Sequence, residues 1–233
     1  MPPATADPRR ASDHVFAGLL EALLSGRYAP GEKLPTQRTL AAEAGVTMGT
    51  LREALQRLEQ MGLIEVRHGD AMRVRDWRRH GGLDVIAHLA LGSSGLDPAV
   101  LGDVFEARGL MLRELAALAA DRRSAGQATR LRELAAAVSE APDQHAAQRL
   151  DFAFFTELAE AAENLVFVLI MNSIRSLYFE HAGRLPVTAA HEELAHLYVD
   201  AARAVAQRRP AAARRAVGLL AERQRERVDA ALW

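Results

Sequence analysis

The chain has 233 residues, 49% of them apolar, 25% charged and 5% aromatic. An excess of Ala and Leu in that composition favours helix over sheet. With no cysteine, disulfides and thiol-based metal or redox sites are excluded, and a reducing cytoplasm is the expected location. No apolar run reaches the roughly 18 residues of a membrane span, and the opening MPPATADPRRASD lacks the apolar core of a signal peptide. The net charge of −1 carries no overall basic signature for nucleic acid. Only locally does a basic strip form, where Arg67, Arg73, Arg75, Arg78 and Arg79 face Asp70 and Asp76.

In chain order, residues 1–11 read as a disordered leader. A helix is expected from Ser12 or Asp13, with Val15, Phe16, Leu19, Leu20, Leu23 and Leu24 on one stripe, ending at Ser25-Gly26. RYAPGEKLP carries the Pro-Gly signature of a turn. Thr36 offers an N-cap for a short helix that Gly45 stops. Thr47 offers another for a helix with Leu51, Leu55, Leu58 and Met61 on one face. Thr50-x-x-Glu53 also fits a capping box, so the first turn of that helix has two possible starts.

After Gly62 the apolar period shortens from helical to alternating. Ile64 and Val66, then Met72 and Val74, flank an His-Gly-Asp turn and predict a β-hairpin. Three helices and a hairpin over residues 12–76 make a winged helix-turn-helix. Residues 77–82 read as a basic linker. Residues 83–233 read as an all-α bundle of six or seven helices, broken at SSGLDP, RRSAG, APD, Glu163-Asn164, GRLP and RRP.

A short helix, a tight turn and a second helix place the second helix in a major groove. Candidate DNA contacts are Thr47, Met48, Gly49, Thr50 and Arg52 at its head, Arg38 from the preceding helix, and His68-Gly69 at the wing tip. An ordinary helical domain with surface arginines is the competing reading of that pattern. The run PGEKLPTQRTLAAEAGVTMGTLREALQRLEQMGLIEVRHGDAMRV resembles the winged-helix domain of the GntR family of bacterial transcription regulators. That resemblance implies that Arg38 and Arg52 contact phosphates and bases, that Thr47 and Thr50 contact DNA at the helix head, and that His68-Gly69 form the wing tip. Met48-Gly49 departs from many relatives, which carry Arg, Ser or Thr there. Met48 lacks the bidentate contact of Arg to guanine, worth roughly 1–3 kcal/mol, so a different operator sequence is expected.

The second domain resembles the FadR subgroup of that family, whose helical bundles bind an effector. Many members hold a divalent metal with one Asp and three His. Asp151 occupies the Asp position, but Phe155, Tyr198 and Leu220 stand where the histidines would fall, so no metal and no cofactor are expected. His191 and His196 lie five apart and do not form an HExxH motif, and both read as surface residues. The fatty-acyl-CoA-responsive branch of the subgroup, which lacks those histidines, is similar around LDFAFFTELAEAAENLVFVLIMNSIRSLY. That likeness adds Asn172 and Tyr178, and Arg108 matches an arginine at the effector site. Phe152, Phe154, Phe155, Phe167, Tyr178 and Phe179 also fit a plain packed core, and Arg108 an interhelical ion pair with Glu106 or Asp103.

The expectation is a homodimeric transcription regulator that binds a palindromic double-stranded DNA operator. A fatty acyl-CoA or fatty-acid-like effector, or another organic acid, would set its affinity. No nucleophile-base set, phosphate-binding glycine loop or paired-carboxylate arrangement points to an enzyme. A winged-helix interaction module without DNA binding is the remaining alternative.

Overall fold

The computed structural model describes residues 8–66, 72–90, 97–180, 187–188 and 191–232. Two compact units divide the chain, Met1–Val100 and Leu101–Trp233.

In the first unit, α1 (Pro8–Leu24) begins earlier than expected, so residues 8–11 belong to a helix rather than to the leader. Proline is well suited to a first helical position, where its missing N–H is not needed. α2 (Gln37–Ala44) and α3 (Met48–Gln60) start at the expected caps. Thr39 N donates to Thr36 Oγ1 and Thr50 N to Thr47 Oγ1, both at 3.2 Å. The helix therefore starts at Thr47, and the alternative box at Thr50 is not used. Gly45 closes α2 in the left-handed region at φ 64°. Leu51, Ala54, Leu55 and Leu58 face the core with Phe16, Leu20 and Leu23 of α1. Arg57 ties the two helices from outside, 2.7 Å from Asp13 and 3.8 Å above the Phe16 ring.

β1 (Ile64–Glu65) and β2 (Arg73–Val74) pair antiparallel, Ile64 opposite Val74. On the other side of β2, the Pro-Gly turn brings in a third extended stretch. Lys33 bridges Arg73, Gly31 N donates to Val74 O at 2.8 Å, and Leu34 N donates to Met72 O at 2.9 Å. Gly31 makes that approach at φ +86°, a conformation costly for any residue with a Cβ.

The stretch expected as a linker contains α4 (Trp77–His80), capped by Asp76. It lies over Gly62, which has φ +72° and where an added Cβ would stand 2.4 Å from His80 O. Gly62→Ala is therefore expected to lower stability by about 1–3 kcal/mol, measured by urea denaturation. An unchanged midpoint would refute the clash.

The apolar pattern of α5 (Leu83–Ala90) places it in the second domain, but Val85 is buried in the first core and Leu89 packs against it. His88 meets the Phe16 ring edge-on at 5.8 Å. An amphipathic stripe shows that a helix has a buried face, not which core buries it.

The second unit is all helix among its described residues: α6 (Pro98–Arg122) from Leu101 on, α7 (Ala125–Ser139), α8 (Gln144–Ala161), α9 (Leu165–Glu180), α10 (His191–Ala206) and α11 (Pro210–Leu232). α10 packs against both α7 and α11. Its Leu194, Leu197, Tyr198, Ala201 and Val205 enter a core shared with Leu112, Leu131, Phe154, Leu158 and Leu220. Arginines close the helix ends. Arg122 donates to Ala162 O at 2.8 Å, and Arg208 to the carbonyls of Asp121 and Arg123. Cations at C-terminal carbonyls are favoured by the helix dipole. They also help hold Arg208 at φ 53°, where a side chain is strained. No helix among the described residues is long and apolar enough to cross a membrane.

Candidate DNA-reading face and buried polar cluster

The head of α3 presents most of the expected DNA contacts together. Thr47, Gly49, Arg52 and Arg38 are exposed, and Thr50 is half-buried beside them. Arg38 has no partner among the described residues. Arg52 Nε reaches Gln37 Oε1 at 3.4 Å, a long contact that leaves most of its donors open. The hydroxyls of Thr47 and Thr50 bond each other at 3.0 Å. That bond uses one hydroxyl proton and leaves the other for a phosphate or base edge.

Met48 is placed differently from its neighbours: it is half-buried and packs against the core of the first unit. Gly49 sits in open space, where an added Cβ would meet only Thr47 Oγ1 at 3.7 Å. Packing within the chain thus does not require glycine there, although it costs a helix about 1 kcal/mol against Ala. His68 and Gly69 lie outside the described residues.

In the second unit, five of the expected effector residues converge. Asp151, on α8, is 1% exposed and accepts hydrogen bonds from the hydroxyls of Tyr178 and Tyr198, the latter at 2.5 Å. Arg108 of α6 brings Nη2 to 3.9 Å from the Asp151 carboxylate and lies 5.0 Å above the Phe155 ring. Arg108 therefore pairs across the bundle with Asp151, not with Glu106 or Asp103. Burial, then the charge of Asp151, pushes both tyrosine hydroxyls well above their ordinary pKa. They remain neutral donors to the carboxylate. Phe154 packs edge-on against both Phe155 and Tyr198, at 5.5 and 5.3 Å.

Gln224 of α11, which sequence reasoning missed, joins the parts. Its amide nitrogen donates to Asp151 at 2.6 Å and to Tyr198 Oη at 2.8 Å, while its oxygen accepts from Arg108 Nη2 at 2.8 Å. The available signal was its place one helical turn beyond Leu220, on the same face. Leu220 is itself fully buried and apolar. Asn172 is exposed on α9 and is not part of the cluster. His191, expected at the surface, is 6% exposed, with Nε2 3.1 Å from Ala141 O, whereas His196 is exposed.

Two polar atoms beside this network are buried without a partner among the described residues, Arg108 Nη1 and Gln148 Oε1. A metal does not fit the arrangement. Phe155 and Leu220 offer no lone pair, and the Asp151 oxygens already accept from two phenols and an amide. No group of three or more His, Asp or Glu among the described residues could hold a metal ion.

A capped short helix, a left-handed glycine turn and a second helix with its polar head exposed, backed by a wing, define a DNA-binding module. The family description "Bacterial regulatory proteins, gntR family" matches residues 11–74, and the FCD domain matches residues 103–223. The chain belongs to the GntR family, as a DNA-binding transcriptional regulator with an FCD domain. It is 36% identical over 180 residues to the HTH-type transcriptional regulator Mce2R of Mycobacterium tuberculosis, covering 77% of this chain and 75% of that protein. It is 32% identical over 163 residues to the fatty acid metabolism regulator protein of Edwardsiella ictaluri, covering 69% and 66%.

Two solved structures share the fold at 17% identity. One is Lar, which controls expression of the Listeria monocytogenes agr system, with a TM-score of 0.57 over 93% of this chain and 95% of that one. The other is McbR/YncC of E. coli, with a TM-score of 0.52 over 96% and 99%.

Proposed function

We propose that the protein is a homodimeric regulator that binds a palindromic operator, and that an effector with an anionic or acceptor head and an apolar body sets its affinity. A fatty acyl-CoA or fatty acid is the favoured class. Arg108 carries this reading. Its Nη1 is buried with no acceptor among the described residues, an arrangement that costs about 1–3 kcal/mol unless a ligand or water completes it.

A groove of about 500 Å³ between α6 and α11 lies along the same helices. Its lining is apolar at Phe105, Leu110 and Leu219 and carries Arg113 and Arg225 beside the carboxylates Glu106 and Glu222, without Arg108. Its size falls within the usual range for small-molecule sites. Relatives bearing the name fatty acid metabolism regulator protein support an acyl ligand.

Thermal unfolding with palmitoyl-CoA, palmitate, CoA and acetate tests this reading. Stabilisation by one of the two acyl compounds is expected, about 2.7 kcal/mol at 100 times Kd, and Arg108→Met should abolish it. Equal stabilisation of Arg108→Met, or none by either acyl compound, would overturn the acyl assignment. A shift with acetate alone would favour the other organic-acid reading.

A further inference from the structure

On the face built by α7, α8 and α9, a second pocket of about 350 Å³ is lined by none of the residues of the cluster above. Its floor is apolar: Leu134, Phe152 and Phe179, with the two rings 5.1 Å apart. Its rim is cationic, with Arg130 from α7, Arg149 from α8 and Arg175 from α9. Arg130 has Glu133 at 3.7 Å. Arg149 and Arg175 have no carboxylate partner among the described residues, and Arg175 instead lies 4.9 Å above the Phe152 ring.

Arg130, Arg149 and Arg175 are exposed, so their stems can cover the aromatic floor while their guanidiniums stay open to an anion. The one carboxylate in the lining is Glu157. Burial, and then the charge of Glu160, raise its pKa against the opposing pull of Arg130, and one carboxylate cannot balance three guanidiniums. The hydroxyl proton of Thr156 is held by Phe152 O at 2.8 Å, which leaves its oxygen only as an acceptor. Arginine matches carboxylate and phosphate oxygens in a bidentate fork and stacks on planar groups.

From this we infer a second ligand site, for an organic anion whose single carboxylate or phosphate group sits on a flat apolar body. The body would lie on Phe152 and Phe179, and the anion would meet Arg149 and Arg175. The floor also touches the buried cluster: Phe152 and Phe179 pack against Tyr178 at 5.3 and 5.5 Å, and Tyr178 donates to Asp151.

Isothermal titration of the full-length protein at low salt tests the site, with 1-naphthyl phosphate, 2-naphthoate and inorganic phosphate as probes. Saturable binding of one naphthyl probe per chain is expected, and the tighter of the two identifies the anion. Arg149→Ala and Arg175→Ala should each weaken it roughly tenfold or more, the usual consequence of losing a charged hydrogen bond. Both arginines are exposed, so the variants should keep the fold, as checked by circular dichroism. Arg223→Ala, which removes an exposed arginine outside this pocket, should leave the affinity unchanged. Absence of saturable binding, binding indifferent to both alanine variants, or inorganic phosphate binding as tightly as naphthyl phosphate would each overturn the proposal.

Discussion

Asp151→Ala is expected to lose about 3–5 kcal/mol of stability, the range for removing one partner of a buried ion pair. Asp151 accepts from two tyrosine hydroxyls and the Gln224 amide, and it is the carboxylate facing Arg108. Truncation would leave four polar groups from four helices turned toward a space that none of them can fill. Urea denaturation followed by circular dichroism measures the loss. Adding Tyr198→Phe to the Asp151→Ala background should then cost little or restore some stability, because the phenol has already lost its acceptor at that oxygen. Strict additivity of the two substitutions would show that the groups do not act as a network.

The second large effect concerns DNA. Arg38→Ala and Arg52→Ala are each expected to weaken operator binding by roughly 1–3 kcal/mol per half-site, the usual worth of a specific arginine contact. In a dimer both half-sites are affected, so the loss should be about twice as large. Gel shift on the DNA upstream of its own gene, at several salt concentrations, reads this out. An arginine that contacts phosphate would also reduce the slope of affinity against salt, whereas one that reads a base would relax sequence preference. Wild-type binding no tighter than to random duplex would favour the interaction-module reading instead.

The first unit was largely legible because its signals are local. Thr36, Thr47 and Gly45 act within four residues of where they stand, and the leucines of α3 keep strict helical spacing. What escaped depended on distant partners. α5 shows an apolar face, but only Val85 and His88 in place reveal that the face meets α1. Met48 sits among exposed residues in the sequence, yet the turn of the helix leans it onto the core.

In the second unit, Arg108, Asp151, Phe155, Tyr178 and Tyr198 stand together. Gln224 was invisible because glutamine is ordinarily solvated, and its amide has a role only where carboxylate, phenol and guanidinium already meet. Asn172 shows the reverse. Likeness of a segment carried it into the expectation, but its helical phase turns it to solvent. His191 is buried although two histidines in a charged stretch look solvated, because Ala141 O stands beside its ring.

The pairing around β2 limits how this protein can be rebuilt. Because β2 is bonded to β1 on one side and to the Gly31–Leu34 stretch on the other, it has no free edge on which a foreign hairpin could dock unassisted. A chimera that exchanged only residues 62–76 for those of a relative would inherit one matched seam and one mismatched seam. The mismatch would fall three residues before Gln37, where α2 begins. A transplanted wing must therefore bring the Pro30-Gly31 turn with it, so the hairpin and the stretch leading into α2 are inherited together.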